Sequence, residues 1–145
     1  MRLARALVLA LIPFLAGVAV CRAQETPDDH YAPATRSNRP AVLARSEVAD
    51  LAAEVFGPEL AAYVAAIAWC ESTGRPGVES NWPYVGLMQI DPDLHAGRVA
   101  AVVGYPVTLA EARVLLRDPL VNLRTAHAVW RDQGWSAWPA CSRWA

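Results

Sequence analysis

The chain has 145 residues, which is enough for one domain and too short for two ordinary ones. With 13 basic and 14 acidic residues, its formal net charge is −1. This balance lacks the basic excess that binding to a nucleic-acid backbone requires, so we expect no nucleic-acid partner.

The N-terminal segment, residues 1–23, has the pattern of a secretory signal peptide. Arg2 and Arg5 precede an apolar run at residues 6–20, and small residues favour cleavage after Ala23. A membrane span usually needs about 20 apolar residues, so we expect no stable span in the mature protein. Cleavage removes three arginines and no acid, and the formal charge becomes about −4. The mature protein is predicted to be exported: secreted, periplasmic or associated with the cell wall.

Residues 24–44 have no hydrophobic period and are rich in proline and polar residues. They predict a flexible leader before a folded domain at residues 45–145. The first helix of that domain is predicted to begin at a Ser46 cap and to end at Gly57. A second helix is predicted to begin at Pro58.

The second half of the domain predicts one loop and three further helices. Residues 73–85 are rich in glycine and proline and predict a loop or short irregular strands. The first of these helices is predicted at residues 94–103. The second is predicted to begin at a capping box, residues 108–111, and to end at about residue 117. The third is predicted at residues 120–133, between an Asp118 cap and Gly134. With five helices and no convincing strand pair, the fold class is predicted to be mainly α.

Glu71 lies where a carboxylate is not expected for stability. Residues 60–70 are apolar on every face of a helical period, which predicts a helix buried in a core, and Glu71 follows at its C-terminal end. Apolar surroundings and the negative end of the helix dipole both raise the pKa of a carboxyl group. A glutamic acid that stays protonated near neutral pH is what a general acid requires. The alternative is a solvated surface carboxylate; the neighbours Trp69 and Cys70 favour the buried one.

Two cysteines, Cys70 and Cys141, remain after cleavage of the signal peptide. In an exported domain such a pair predicts a disulfide, which would tie the tail at residues 135–145 to the end of the second helix. A free buried pair and a metal site are the alternatives. No CxxC or HxxxH spacing supports a metal site, so we expect no metal.

Three segments together resemble a known family. Glu71-Ser72, Gly86-Leu87-Met88-Gln89-Ile90, and Asp118-Pro119 with Asn122 are similar to the SLT-type lytic transglycosylases of the lysozyme-like superfamily. The resemblance runs from about residue 46 to the C-terminus and implies a small α-helical lysozyme-like domain with a saccharide-binding cleft. It also implies cleavage of the bond between N-acetylmuramic acid and N-acetylglucosamine in the glycan strands of peptidoglycan. We expect a monomer that uses no cofactor.

The resemblance assigns roles residue by residue. Glu71 matches the single catalytic acid/base, and Ser72 matches a serine that helps to orient the muramoyl N-acetyl group. Gly86 lets the backbone approach the sugar, and Gln89 is a polar contact in the cleft. Asn122 is a hydrogen-bonding group of the cleft or behind it, with a capping or surface role as the alternative. The apolar residues of the second segment are predicted to pack in the core: Leu87, Met88 and Ile90.

The tail departs from the family pattern. The family usually carries Ala-Tyr-Asn near its C-terminal end, with the tyrosine directed toward the catalytic glutamate. Residues 134–141 contain no tyrosine. We predict that Trp135 or Ser136 takes its place.

Six tryptophans supply flat apolar faces on which sugar rings can stack. We expect Trp82, in the loop, and either Trp135 or Trp138, in the tail, to contact sugar. Trp69 and Trp130 lie within predicted helices and are expected in the core.

The number of carboxylates separates the reactions that this site could perform. Most glycosidases use two, about 5 Å apart for retention or about 6.5–9.5 Å apart for inversion. Glu71 is the one clear candidate; Asp91 and Asp93 are predicted to be turn residues, with a role as the second carboxylate left open. With one carboxylate, the family chemistry is non-hydrolytic and gives a 1,6-anhydro sugar. A true hydrolase and a non-catalytic cell-wall-binding module of the same shape are the alternatives.

Overall fold

The computed structural model describes residues 42–80 and 83–145. Over this part the chain forms five α-helices and a short 3₁₀ helix: α1 (Arg45–Phe56), α2 (Pro58–Ser72), α3 (Pro92–Val103), α4 (Leu109–Leu115), α5 (Pro119–Gln133) and the 3₁₀ helix Gly134–Ala137. Extended pairing among the described residues consists of two isolated antiparallel bridges, Glu79 with Val85 and Val85 with Ile90. The prediction of a mainly α domain is therefore confirmed. The signal-peptide prediction, most of the predicted leader and Trp82 lie outside the described residues.

Several helix ends lie where local capping signals predict them. Gly57 ends α1 with a φ of 89°, and Pro58 is the first residue of α2. The capping box of α4 is complete, because the Thr108 hydroxyl accepts from the Glu111 amide (3.2 Å) while the Glu111 carboxylate accepts from the Thr108 amide (2.7 Å). The Asp118 carboxylate accepts from the first free amides of α5.

Three helix boundaries differ from the predictions. The N-cap of helix α1 lies two residues before the predicted one: it is Ala44, whose amide donates to the Glu47 carboxylate at 2.6 Å, and Ser46 lies inside the first turn. Helix α3 begins at Pro92 because the Asp91 side chain accepts from the Asp93 amide at 2.9 Å and caps the helix. Helix α4 ends at Leu115, two residues before the predicted end.

Helix α5 joins the two helix pairs of the domain, α1 with α2 and α3 with α4. Helix α1 packs against α2 and α5, α3 packs against α4 and α5, and the 3₁₀ helix contacts the end of α5. The chain before α1 already belongs to this packed unit, since Leu43 is buried and its amide donates to the Gly74 carbonyl at 2.8 Å. The packed domain thus includes residues that we assigned to the leader.

Helix α2 has one exposed face, and the prediction that it is buried on every side is wrong. Val64, Ile67 and Ala68 are completely buried, whereas Trp69 and Cys70 lie on the exposed side. Trp69 is 37% exposed, so its assignment to the core is also wrong. An apolar helix with so many alanines can leave one face in water, because each alanine exposes little apolar area.

The disulfide prediction is confirmed. Cys70 and Cys141 are bonded with their Cα atoms 5.7 Å apart and are separated by 71 positions in the chain. The bond joins the last turn of α2 to the C-terminal tail, at the residue directly before Glu71. In the chain-entropy model, a closed loop of this length stabilises the fold by about 4 kcal/mol.

Within residues 42–80 and 83–145, no helix is both long enough and apolar enough to cross a membrane.

Candidate active site

Glu71 lies in the last turn of α2 and is half-buried. Among the described residues, no side chain or backbone group forms a hydrogen bond or ion pair with its carboxyl group. Burial raises the pKa of Glu71 above its ordinary value. A carboxyl group with a raised pKa and no cation beside it can hold a proton at higher pH than an ordinary glutamic acid, which is the property that a general acid needs.

The raised pKa has a consequence for stability that can be measured. At pH values below the pKa of Glu71 in the unfolded state, Glu71 is protonated in both states, and its titration does not change the free energy of unfolding. As the pH rises above about 4, the unfolded state loses its proton first, so the free energy of unfolding falls until the folded-state pKa is passed. Glu71→Gln removes this loss. Urea unfolding at a series of pH values should therefore show the variant gaining stability relative to the wild type as the pH rises. Parallel pH profiles for the two proteins would contradict the assignment of a raised pKa.

Ser72 faces the interior rather than open solvent. It is only 2% exposed, and its hydroxyl donates to the Ala68 carbonyl one turn back in α2, at 2.8 Å. The predicted role in orienting a substrate N-acetyl group does not agree with this placement, because the hydroxyl is buried and already bonded. Ser72 instead terminates the buried side of the helix beside Glu71.

The turn Gly86–Ile90 is closed by two reciprocal backbone hydrogen bonds between Val85 and Ile90, of 2.9 and 3.0 Å. Gly86 has a φ of 81°, and a Cβ atom there would collide with the Asn122 amide group and the Leu116 carbonyl. The need for glycine therefore comes from this interior contact, and not from the approach of a sugar as we predicted. Leu87, Met88 and Ile90 are buried, which confirms their assignment to the core.

Asn122 on α5 holds this turn from beneath. It is completely buried, and its Oδ1 accepts from the Met88 amide at 2.8 Å. Its Nδ2 donates to the carbonyls of Val85 and Leu116, both at 2.9 Å. These bonds decide among the roles left open by the sequence: Asn122 supports the turn from behind, and its buried amide is not placed to contact a bound sugar.

Gln89 links the turn to the loop that follows α2. Its Nε2 donates to the Gly86 carbonyl at 2.8 Å, and its Oε1 accepts from the Ser80 hydroxyl. Its backbone has a φ of 47°, a conformation that costs a residue with a Cβ of order 1 kcal/mol or more and that concentrates at functional sites. Thr73, two residues after Glu71, is the other described non-glycine residue with a positive φ. Ser80 is a partner that sequence reasoning missed, because no local pattern identifies it.

The tail does not place Trp135 or Ser136 in a hydrogen bond with Glu71. Trp135 is half-buried and stacks on Phe56, with ring centroids 6.2 Å apart and planes at 20°. Ser136 is exposed, and its hydroxyl donates to the Gln133 carbonyl at 2.6 Å. Neither residue replaces the family tyrosine by a direct bond in the described structure. Trp138 is only 4% exposed, so it is not available for the sugar stacking that we considered for it.

Glu79 is a second carboxylate that the sequence analysis did not consider. It lies on the bridge with Val85, and Arg117 donates to its Oε1 at 2.5 Å while Arg113 lies 3.6 Å from its Oε2. Its hydrogen bond to Arg117 and the charges of both arginines hold the pKa of Glu79 below its ordinary value. The pKa values of Glu71 and Glu79 are therefore shifted in opposite directions.

Asp91 and Asp93 are placed as helix-capping and first-turn residues of α3. Asp91 is the N-cap, and Asp93 is exposed. This placement agrees with their assignment as turn residues.

A broad open groove lies at the C-terminal end of α5, with a volume of about 610 Å³. It is lined by His127, Trp130, Arg131 and Gly134, none of which was predicted to contact a substrate. In the described part of the chain, no three His, Cys, Asp or Glu residues come together in a way that could hold a metal ion.

Comparisons with protein-family models, with curated proteins and with solved structures return no match to this chain. The resemblance to lytic transglycosylases therefore rests on the motifs alone.

Proposed function

We propose that this protein is an exported peptidoglycan-cleaving enzyme of the lytic transglycosylase type, with Glu71 as its single acid/base. The observation that carries the proposal is the half-buried carboxyl group of Glu71, which has a raised pKa and no partner among the described residues. A structural carboxylate at a helix end would be expected to bind a cation or a free amide, since burial without a partner costs stability.

The proposed reaction uses this carboxyl group twice. Glu71 first protonates the glycosidic oxygen between N-acetylmuramic acid and N-acetylglucosamine, and the substrate N-acetyl group stabilises the positive charge that develops on the sugar. The Glu71 carboxylate then accepts the proton of the muramoyl 6-hydroxyl, whose oxygen closes the 1,6-anhydro ring. A carboxyl group with no partner among residues 42–80 and 83–145 suits both steps, because no fixed cation of this part of the chain opposes its return to the protonated form.

The disulfide and the supported turn fit this proposal. A disulfide of this kind is typical of exported domains, where oxidising conditions preserve it. The turn Gly86–Ile90 is fixed by Asn122 and by Gln89, so a substrate would meet a preorganised surface there. We infer that this surface and the end of α2 form the saccharide cleft.

Glu79 is the observation that favours the second candidate, a true hydrolase. An ionised carboxylate together with a protonated one is the combination that two-carboxylate glycosidases use. Glu79 would have to act while Arg117 neutralises it at 2.5 Å, which makes it a weak nucleophile or base. We therefore retain the transglycosylase as the proposed function.

Incubation of the mature protein with purified peptidoglycan tests the proposal. We expect release of soluble muropeptides that are lighter than hydrolysis products by one water, as measured by mass spectrometry. Binding to peptidoglycan without release of fragments would instead assign a cell-wall-binding module, and reducing muramic ends alone would assign a hydrolase.

A further inference from the structure

Trp138 occupies a position in the tail that neither the motifs nor the proposed mechanism uses. Its ring is only 4% exposed, and its indole Nε1 donates to the Met88 carbonyl at 2.8 Å, across 50 positions of the chain. A buried indole N–H needs a partner, and here the partner is the backbone of the Gly86–Ile90 turn.

Both backbone polar groups of Met88 are consequently hydrogen-bonded to side chains. Its amide donates to Asn122 Oδ1 at 2.8 Å, and its carbonyl accepts from Trp138. The next residue is Gln89, whose φ of 47° is strained for a residue with a side chain. A strained conformation persists only where the surroundings fix it. The bond from Trp138 fixes the Met88–Gln89 peptide, and the bond to Asn122 fixes the Leu87–Met88 peptide before it.

The other end of the same tail segment is anchored beside Glu71. Three residues after Trp138, Cys141 is bonded to Cys70, which directly precedes Glu71. The segment between these anchors is short and internally bonded, because the Ser142 amide donates to the Trp138 carbonyl at 2.9 Å. Tyr63 of α2 adds a third anchor, with its hydroxyl donating to the Ser142 carbonyl at 2.7 Å. We name residues 138–142 the tail bracket.

We infer that Trp138 is a positioning residue: through the tail bracket it sets the distance between Glu71 and the Gly86–Ile90 turn. That this distance affects catalysis rests on the proposed function. The bracket occupies the region where the family pattern has its tyrosine, but it acts on the turn through Met88 rather than on Glu71 through a hydrogen bond. Trp138 touches no reacting atom in this scheme.

Trp138→Phe tests the inference, because it keeps an apolar ring and removes the N–H donor. Trp144→Phe is the matched control, since Trp144 lies in the same tail and is 86% exposed. On soluble glycan strands, we expect kcat per folded molecule to fall about tenfold or more in Trp138→Phe, because a misplacement of about 1 Å can cost about 10²-fold. KM should change much less, and Trp144→Phe should match the wild type. A wild-type kcat in folded Trp138→Phe would overturn the inference.

A double-variant cycle separates the bracket from general packing. In protein that carries Cys70→Ser and Cys141→Ser, the bracket has already lost its anchor beside Glu71. Trp138→Phe should therefore lower kcat by a smaller factor in that background than in the wild type. An equal fold decrease in kcat in the two backgrounds would show that Trp138 acts independently of the disulfide. That result would overturn the inference that it acts through the tail bracket.

Amide hydrogen exchange provides a readout that does not depend on activity. The Met88 and Ile90 amides are bonded in the turn, and we expect both to exchange faster in Trp138→Phe and at the wild-type rate in Trp144→Phe. If the wild type cleaves no peptidoglycan, the proposed function fails while this measurement still tests the bracket. Unchanged exchange in Trp138→Phe would overturn the bracket even in an active enzyme.

Discussion

Glu71→Gln should abolish nearly all cleavage of peptidoglycan while the protein folds normally. Glutamine keeps the shape of the side chain but cannot donate a proton to the glycosidic oxygen or accept one from the 6-hydroxyl. Loss of general-acid catalysis alone lowers turnover by about 10²–10⁴-fold. Because the carboxyl group has no partner among the described residues, the neutral amide breaks no bond there. Turnover should be measured by release of soluble muropeptides, and folding by circular dichroism and thermal unfolding.

Two further glutamates make this result specific. Glu54→Gln is the matched control, since Glu54 is exposed on α1 and should keep wild-type turnover. Glu79→Gln tests the hydrolase, because a two-carboxylate mechanism that uses Glu79 would lose turnover in this variant as well. We expect Glu79→Gln to retain cleavage. Wild-type turnover in Glu71→Gln would end the catalytic assignment of Glu71.

Asn122→Ala should cause the largest loss of stability among single substitutions at the site. The substitution leaves the Met88 amide and the Leu116 carbonyl without their buried partner, and the Val85 carbonyl keeps only its bond from the Ile90 amide. Each buried polar group that loses its partner costs about 1–3 kcal/mol, so the free energy of unfolding should fall by about 3–5 kcal/mol. Urea unfolding at neutral pH measures this change.

Thr125→Val is the control for the Asn122 prediction. Thr125 lies one turn further along α5 and is equally buried, but its hydroxyl has no hydrogen-bond partner among the described residues. Replacing it with valine removes a polar group that gains nothing from the fold, so the stability should be unchanged or higher. If Asn122→Ala costs no more than Thr125→Val, the bonds of Asn122 do not hold the turn as we describe.

The features that the sequence predicted correctly depend on near neighbours in the chain. The end of α1 at Gly57, the start of α2 at Pro58 and the cap of α5 at Asp118 each follow from two or three adjacent residues. The position of Glu71 in the last turn of α2 and the direction of its pKa shift were predictable in the same way, since the end of an apolar helix is visible locally. The disulfide was predictable for a different reason, because only one pair of cysteines remains in the predicted mature chain.

The features that the sequence did not predict depend on contacts between distant segments. The need for glycine at position 86 comes from Asn122 and Leu116, which lie 36 and 30 positions away. Trp138 was considered as a sugar-stacking residue because nothing near it in the sequence shows its burial. That burial comes from a tertiary contact with Met88. The same holds for Glu79, whose charge is fixed by arginines on and after α4.

The exposed face of α2 shows a further limit of sequence patterns. An apolar pattern indicates which faces of a helix can be buried, but it does not indicate how many of those faces other elements cover. Trp69 illustrates this point: residues 60–70 of its helix are apolar, but the packed neighbours leave the face that carries Trp69 uncovered.

Cleavage of purified peptidoglycan in water enriched in heavy oxygen is the most direct test of the central claim, that Glu71 cleaves the glycan without hydrolysis. Mass spectrometry of the released muropeptides then reports both the mass of the muramic end and the origin of its oxygen. The account predicts 1,6-anhydro ends that carry no label, and no release by Glu71→Gln under the same conditions. Reducing muramic ends that carry the heavy oxygen would contradict it.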